Sequence, residues 1–123
     1  MLVLDAGALI AFERNARLTV GLIARLLERG EPMAVPAGVV AQVWRDGRRQ
    51  ARLSRLLGAA EVEVVAFDDM GARAAGQLLG IAGTTDVVDA SVVLLARVLG
   101  AAVATSDPED LLRLDPAVRL ITC

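Results

Sequence analysis

The sequence contains no histidine, no lysine and no tyrosine, and its single cysteine is the last residue, Cys123. These absences exclude every mechanism that needs a Ser–His or Cys–His pair, a histidine-bound metal or a lysine Schiff base. They also exclude an internal disulfide, a cysteine-based zinc site and the lysine of a Walker-type phosphate loop. If the chain is an enzyme, its chemistry must come from carboxylates, hydroxyls, amides and arginines, with or without a metal ion.

Long uncharged stretches and a disorder-promoting composition are absent as well. No apolar run reaches about 18 residues without a charge, and the first residues, MLVLDAGALI, contain no basic leader. Hydrophobic residues make up 55% of the 123 residues and charged residues 23%, a composition that excludes intrinsic disorder. We therefore expect one soluble domain spanning residues 1–123, in the cytoplasm and not in a membrane.

Charge is unevenly distributed, although the formal net charge is only -2. Residues 45–55 contain five arginines and one acidic residue, Asp46, whereas the chain beyond them contains ten acidic residues and four arginines. A local basic face can hold a polyanion while an acidic pocket elsewhere holds a cation. The same arginines would equally serve as a solvated helix face or contact an acidic partner.

Short apolar segments alternate with helical periodicity along the whole chain. The alternation predicts strands at residues 1–4, 33–35, 62–66, 101–105 and 118–121. It predicts helices at residues 6–13, 17–29, 37–45, 48–57, 68–79, 86–99 and 107–114, with Thr84 or Thr85 capping the sixth. No two-residue hairpin turn connects the strands, so we expect a parallel sheet covered on both faces. The fold class is then α/β, a three-layer α/β/α sandwich with a central parallel sheet of about five strands.

Four aspartates fall at positions that this fold would bring together. Asp5 follows the first predicted strand, Asp107 follows the fourth, and Asp86 and Asp89 begin one helix. Ligands of open parallel sheets bind beyond the carboxyl ends of the strands. Four carboxylates in one crevice repel each other unless protons or a divalent cation neutralise them, and an oxygen-only cluster suits Mg²⁺ or Mn²⁺.

Three of these four aspartates also have a purely structural interpretation, whereas Asp89, one turn into its helix, is harder to explain in that way. Asp5 would serve as a turn residue or as the N-cap of the helix that follows, and Asp86 as a favourable charge at a helix N-terminus. Asp107 is a suitable helix cap, and Glu109 and Asp110 are expected to form a solvated first turn. The metal-site hypothesis therefore depends on the convergence of the four aspartates and not on any one of them.

Four sequence segments occur in an order and at a spacing that are fairly specific together: VLDAGALIAFE, PAGVVAQVWR, TTDVVDASVVLLA and VATSDPEDL. They span nearly the whole chain and resemble the PIN-domain ribonucleases, most of all the VapC-type toxins of VapBC toxin–antitoxin pairs. The resemblance implies a PIN-like fold and a metal-dependent endoribonuclease that hydrolyses phosphodiester bonds. It gives Asp5, Asp89 and Asp107 catalytic and metal-binding roles, with Asp86 as a supporting metal ligand and Mg²⁺ or Mn²⁺ as the cofactor.

The resemblance also implies supporting residues and partners. It gives Thr105 or Ser106 the role of a hydroxyl that positions metal or phosphate. It implies RNA as the substrate, a homodimer as the assembly, and a small antitoxin protein that covers the acidic cleft.

Contacts to an RNA backbone are expected from the basic segment. The candidate RNA-binding residues are Arg45, Arg48, Arg49 and Arg52. Only two phenylalanines and one tryptophan are available to stack on bases, so base stacking has little support. We expect Phe12 and Phe67 in the core, and Trp44 either in the core or against a partner.

One position departs from the PIN pattern. The helix after the second strand usually carries a glutamate, and Gln42 occupies the matching place. An amide offers a carbonyl oxygen but neither charge nor a proton-accepting carboxylate, so Glu13 and Asp46 are the candidates to supply the missing charge. The structural interpretation of Gln42 is a buried amide that satisfies a helix end. The alternative function is therefore a catalytically weak or inactive PIN-like module that binds RNA or an antitoxin-like protein.

Overall fold

Five parallel strands form a single central sheet in the computed structural model, which describes residues 1–123. They are β1 (Leu2–Leu4), β2 (Met33–Pro36), β3 (Val62–Val65), β4 (Ala102–Thr105) and β5 (Leu120–Thr122). Their order across the sheet is β3-β2-β1-β4-β5, and every neighbouring pair is parallel. β1 therefore lies in the middle, beside β4, as the metal-site hypothesis requires.

Seven helices connect and cover these strands. They are α1 (Ala6–Glu13), α2 (Arg17–Glu28), α3 (Ala37–Val43), α4 (Ala51–Leu57), α5 (Asp69–Ala82), α6 (Val87–Leu99) and α7 (Pro108–Leu114). α1 packs against α2, α3 and α4, whereas α5, α6 and α7 pack against each other. The two groups form the outer layers, so the predicted α/β fold with a central parallel sheet of five strands is confirmed.

The sheet is apolar along the full length of its middle strands. All residues of β1 and β2 are buried, and the side chains of Val3, Leu4, Val35 and Val103 have no exposed surface. This pattern is typical of parallel strands with helices on both faces. Because the core leaves no polar position within β1, its first polar side chain, Asp5, appears where the strand ends.

Several helix ends differ from the sequence prediction. The helix predicted at residues 37–45 ends at Val43, because Trp44 adopts an extended backbone conformation with ψ 132°. The helix predicted at residues 48–57 begins only at Ala51. The predicted helix ends at residues 45 and 48 are therefore wrong, and Arg45, Arg48 and Arg49 lie in the connection between α3 and α4.

The connection between α5 and α6 also differs. α5 continues past the predicted end to Ala82, and Gly83 then ends it with a left-handed backbone, φ 73°. Neither Thr84 nor Thr85 caps α6, since the Asp86 carboxylate accepts the hydrogen bond from the Asp89 N–H at 2.9 Å. The cap prediction for the two threonines is wrong, and Asp86 takes their place.

No helix by itself has the length and apolar composition to cross a membrane. α5 and α6 meet these criteria only when taken together, and they are bent by 107° at their junction.

Candidate functional site

The carboxyl edge of the sheet, beside β1 and β4, is where the acidic side chains collect. Leu4 is in register with Ala104, and the Asp5 N–H donates to the Ala104 carbonyl at 3.3 Å. The chain after β1 and the chain after β4 therefore leave the sheet side by side. α6 packs on β1, β2 and β4, which brings the acids of its first turn to the same edge.

Asp5 is a buried carboxylate, only 6% exposed, at the centre of this edge. It is the N-cap of α1, and its Oδ1 accepts a hydrogen bond from the Ala8 N–H at 2.8 Å. Burial raises its pKa, hydrogen bonds from Thr105 and the backbone partly offset that effect, and the negative charge of Asp107 raises the pKa again. The structural interpretation of Asp5 as the N-cap of α1 is thus confirmed, and this hydrogen bond holds its carboxylate beside the other aspartates.

The pKa of Asp89 is strongly raised by the surroundings of its carboxyl group. Burial and the negative charges of four other aspartates raise its pKa to about 7. In order of decreasing effect, those aspartates are Asp86, Asp110, Asp5 and Asp107. The aspartates that the sequence analysis placed at one edge therefore lie close enough for their charges to affect the pKa of Asp89.

Asp86 and Asp107 differ in the hydrogen bonds that their side chains make with nearby residues. Asp86 caps α6, and its Oδ1 accepts a hydrogen bond from the Asp89 N–H. Asp107 occupies the N-cap position of α7, as expected, but its side chain makes no capping hydrogen bond. A hydrogen bond with Asp110, and then that residue's charge, raise the pKa of Asp107 instead. The exposed Asp107 carboxyl group is free to bind a ligand.

Asp110 is exposed in the first turn of α7, as expected from the sequence, and it also belongs to the acidic edge. It lines a polar cavity of about 370 Å³ together with Asp86 and Asp89. Its spacing from Asp107, three residues on the same helical face, is the signal that sequence analysis could have used. The acidic edge, as we use the term below, consists of Asp5, Asp86, Asp89, Asp107 and Asp110.

Thr105 and Ser106 link β4 to this edge. Thr105 is fully buried, and its Oγ1 accepts a hydrogen bond from the Asp107 N–H at 2.9 Å. Ser106 is exposed and lies directly over Gly7, where an added Cβ would come within 2.1 Å of the Ser106 Oγ. Glycine at position 7 therefore allows α1 and the β4–α7 connection to approach closely.

The donor chemistry of the acidic edge fits Mg²⁺ or Mn²⁺. All candidate ligands are oxygen atoms, and no arginine forms an ion pair with Asp5, Asp89 or Asp107. Burial first and then neighbouring carboxylates raise the pKa values of Asp5 and Asp89, and no positively charged side chain opposes either shift. As the side chains stand, no three carboxylates converge closely enough to hold one ion, so chelation requires side-chain rotation.

Comparison with known proteins identifies the family. The family profile described as the PIN domain matches residues 2–115. The chain belongs to the PIN-domain family. No curated protein matches the sequence significantly.

Solved structures of toxin–antitoxin proteins share this PIN fold. The chain is similar to VapBC2 from Rickettsia felis bound to a promoter DNA fragment, with TM-score 0.75, 16% identity and coverage of 99% and 98% of the two chains. It is similar to FitAcB from Neisseria gonorrhoeae, with TM-score 0.65, 18% identity and coverage of 98% and 96%. It is also similar to VapC20 of Mycobacterium tuberculosis, described as a sarcin–ricin loop cleaving toxin, with TM-score 0.60, 15% identity and coverage of 86% and 88%.

Gln42, at the place of the usual PIN glutamate, is exposed on α3. Its interpretation as a buried amide is wrong, and Gln50 has that role instead. The Gln50 Oε1 accepts from the N–H groups of Arg45 and Asp46 at 2.7 and 3.0 Å, and its Nε2 donates to the Val43 carbonyl at 2.9 Å. Gln50 thus holds the connection between α3 and α4, while Gln42 faces solvent.

Neither candidate for the missing charge belongs to the acidic edge. Glu13 accepts a hydrogen bond from the Gln50 Nε2 at 3.3 Å, at the far end of α1 from Asp5. Asp46 lies 3.7 Å from Arg48 and 3.9 Å from Arg49. Neither carboxylate contributes to the raised pKa values of the acidic edge.

The four candidate RNA-binding arginines are all exposed. Arg45 donates from Nη1 to the Trp44 carbonyl at 2.6 Å, and Arg52 donates to the Asn15 side chain. Arg48 and Arg49 share Asp46 as their partner. They form a basic surface on the α3–α4 connection and α4, beside the part of the sheet that contains β2 and β3.

The aromatic side chains do not form a stacking platform. Phe12 packs against the core, as expected. Phe67 is 38% exposed, so its predicted core position is wrong. Trp44 is partly exposed, and its ring covers Gly47 with a closest approach of 2.8 Å to an added Cβ.

Proposed function

We propose that this PIN-domain protein is a divalent-metal-dependent endoribonuclease, the toxin component of a VapBC-type toxin–antitoxin system. The observation that carries the proposal is the concentration of carboxylates at the acidic edge, where burial first and then four neighbouring aspartates raise the pKa of Asp89 to about 7 and no arginine pairs with Asp89. Membership of the PIN family supports nuclease chemistry. The likeness in fold to VapC20, a sarcin–ricin loop cleaving toxin, supports RNA as the substrate.

Asp5, Asp89 and Asp107 would hold the cation, with Asp86 as a supporting ligand. When bound, Mg²⁺ or Mn²⁺ lowers the pKa of a water molecule and stabilises the charge on the leaving oxygen. Asp5 is held in place by the Ala8 N–H and by Thr105, so its carboxylate keeps a fixed orientation. The chain has no histidine, and the groups able to accept a proton beside a phosphodiester are therefore the carboxylates.

The exposed arginines would hold the substrate outside the acidic edge. Such contacts fix a nucleic-acid backbone without reading its sequence, and they weaken as salt is added. The residues concerned are Arg45, Arg48, Arg49 and Arg52.

The test is cleavage of a structured RNA at low salt by freshly purified protein, with Mn²⁺, Mg²⁺ or chelator. Asp89→Asn, purified in parallel, controls for contaminating nuclease. We expect cleavage that needs the metal and is lost in Asp89→Asn. Equal cleavage by both proteins, or none by either, contradicts the proposal.

A second candidate function is a catalytically weak or inactive module that binds RNA or an antitoxin-like protein. It is favoured by the exposed amide of Gln42 and by the positions of Glu13 and Asp46 away from the acidic edge. The substitution Gln42→Glu separates the two candidates. A large gain in cleavage means that the native site is impaired, whereas little change means that the remaining acids suffice.

We also propose a small antitoxin and a second copy of the chain as protein partners. Exposed apolar side chains support a protein partner, since Met70 and Val98 are 81% and 82% exposed and line one apolar groove between α5 and α6. Light scattering tests the assembly: a homodimer has twice the 12.9 kDa mass of the chain, and the monomer mass contradicts it.

A further inference from the structure

The polar cavity beside the acidic edge has features that the metal site does not use. It measures about 370 Å³ and lies between the α5–α6 connection and α7. One wall carries Asp86, Asp89 and Asp110 of the acidic edge. The remaining polar lining includes Thr84 and Arg113, neither of which the sequence analysis assigned to a site.

Arg113 is the only positively charged side chain in this cavity. It is exposed and forms no ion pair within the protein. Its positive charge lowers the pKa of Asp107, which shows that the guanidinium lies near the acidic edge. An exposed guanidinium without an ion pair is available to an anionic ligand. Its planar arrangement of N–H donors allows two parallel hydrogen bonds to a phosphate.

Thr84 gives a second and independent indication. Its Oγ1 is buried and has no hydrogen-bond partner in the protein. A buried hydroxyl without a partner is costly and rare in folded proteins. Thr84 lines the cavity, and rotation of its side chain would bring the hydroxyl to an oxygen acceptor placed there.

The basic surface of residues 45–52 lies away from this cavity. It contacts the end of α1 that is remote from Asp5, because Gln50 donates to Glu13 and Arg52 donates to Asn15. Arg113, on α7, is the basic side chain beside the acidic edge.

We propose that the cavity is a subsite for an RNA backbone phosphate next to the scissile one, held by the Arg113 guanidinium and the Thr84 hydroxyl. The inference rests on the proposed nuclease function. The carboxylates of Asp86, Asp89 and Asp110 repel a phosphate, so the subsite fills only when a divalent cation has neutralised the acidic edge. Binding at the subsite is therefore coupled to the cation.

The test measures the binding of a short fluorescent single-stranded RNA by anisotropy, in Ca²⁺ and in chelator, across a series of KCl concentrations. The variants are Arg113→Gln, which removes the guanidinium and its charge, and Thr84→Val, which removes the hydroxyl and keeps the shape of the side chain. Arg25→Gln is the matched control, because Arg25 is an exposed arginine in the last turn of α2, which leads into the amino end of β2.

In Ca²⁺, we expect Arg113→Gln to weaken RNA binding about tenfold, since a hydrogen bond between charged groups is lost. The slope of log K against log salt should fall by about 0.7, the value for one lost phosphate contact. Thr84→Val should weaken binding about threefold without changing the slope, because a neutral hydrogen bond is lost. Arg25→Gln should bind like the native protein, and chelator should remove the difference between Arg113→Gln and the native protein.

Binding by Arg113→Gln with the native affinity and slope overturns the subsite, and so does a native protein that binds no RNA in Ca²⁺. Tighter Ca²⁺ binding by Arg113→Gln, with native RNA affinity, would show that the arginine is only a counter-charge. The cleavage assay is read separately. Expected binding without cleavage contradicts the nuclease proposal alone, and cleavage with an unaffected Arg113→Gln contradicts the subsite alone.

Discussion

Replacing Asp89 by asparagine should stabilise the metal-free protein at neutral and alkaline pH. The pKa of Asp89 is raised from 3.8 to about 7, first by burial and then by the neighbouring aspartates. Between these two values the folded state holds a proton that the unfolded state releases, so stability falls as pH rises from about 4 to about 7. Asparagine cannot ionise, so the stability of the variant does not fall for this reason as the pH rises.

The size of the effect follows from the same pKa. A change from 3.8 to about 7, at about 1.4 kcal/mol for each pKa unit, sets an upper limit of about 4 kcal/mol. Asp89 is only partly buried, and solvent screening reduces the expected gain to about 1–2 kcal/mol. For a chain of this length that gain corresponds to an increase in Tm of roughly 3–8 °C.

The assay is thermal unfolding, followed by circular dichroism in chelator, from pH 4 to pH 9. The difference in Tm between Asp89→Asn and the native protein should grow up to about pH 7 and stay constant above it. Asp69→Asn is the control, because Asp69 is an exposed aspartate that pairs with Arg73 at 3.1 Å, and its loss should change stability little. An Asp89→Asn protein that is less stable than the native protein at pH 8 would refute the electrostatic reasoning.

Three further predictions concern metal binding and packing. Mn²⁺ should raise the Tm of the native protein but not that of Asp89→Asn, because a ligand stabilises only the state that binds it; equal increases in calorimetric scans would contradict a site at Asp89. Gly7→Ala should cost about 1–3 kcal/mol in chemical denaturation, since its Cβ would meet the Ser106 Oγ at 2.1 Å, and Ser106→Ala should recover part of that loss. Gln50→Leu should cost about 2–3 kcal/mol in the same measurement, because two partly buried N–H groups and one buried carbonyl lose their partner, and an unchanged midpoint would contradict that role.

The layered fold was predictable because its signals are local and repeated. Apolar strands such as Met33–Pro36 alternate with helices such as Arg17–Glu28, whose apolar residues recur at helical spacing. The helix Ala6–Glu13 has the predicted bounds because Asp5 caps its first turn. The proximity of Asp5 and Asp107 followed from one further assumption, that β1 and β4 are neighbours, and the sheet order agrees with it.

The connection after α3 was not predictable because a tertiary contact determines it. The sequence prediction placed residue 45 and residues 48–50 in helices, yet the buried amide of Gln50 accepts from the backbone N–H groups of Arg45 and Asp46 and holds these residues in a connection. A glutamine side chain that replaces backbone hydrogen bonds carries no periodic signal in the sequence. The predicted helix ends at residues 45 and 48 were wrong for this reason.

The acidic edge was predicted in part. Asp5, Asp86, Asp89 and Asp107 lie within electrostatic range of each other, as their positions at strand and helix ends indicated. Asp110 was missed because an acidic residue in a first helical turn is ordinarily explained by the helix dipole. Only the packing of α7 against α6 shows that its side chain lines the same cavity as Asp89.

The most direct test of the account is the position of a bound cation. Crystals of the native protein grown with Mn²⁺ should show an anomalous difference peak within about 2.5 Å of carboxylate oxygens of Asp5 and Asp89, with Asp107 turned towards it. The same peak should be absent from Asp89→Asn crystals grown in the same solution. A fully occupied peak elsewhere on the protein, or no peak at the acidic edge at millimolar Mn²⁺, would contradict the claim that these carboxylates form a metal-dependent nuclease site.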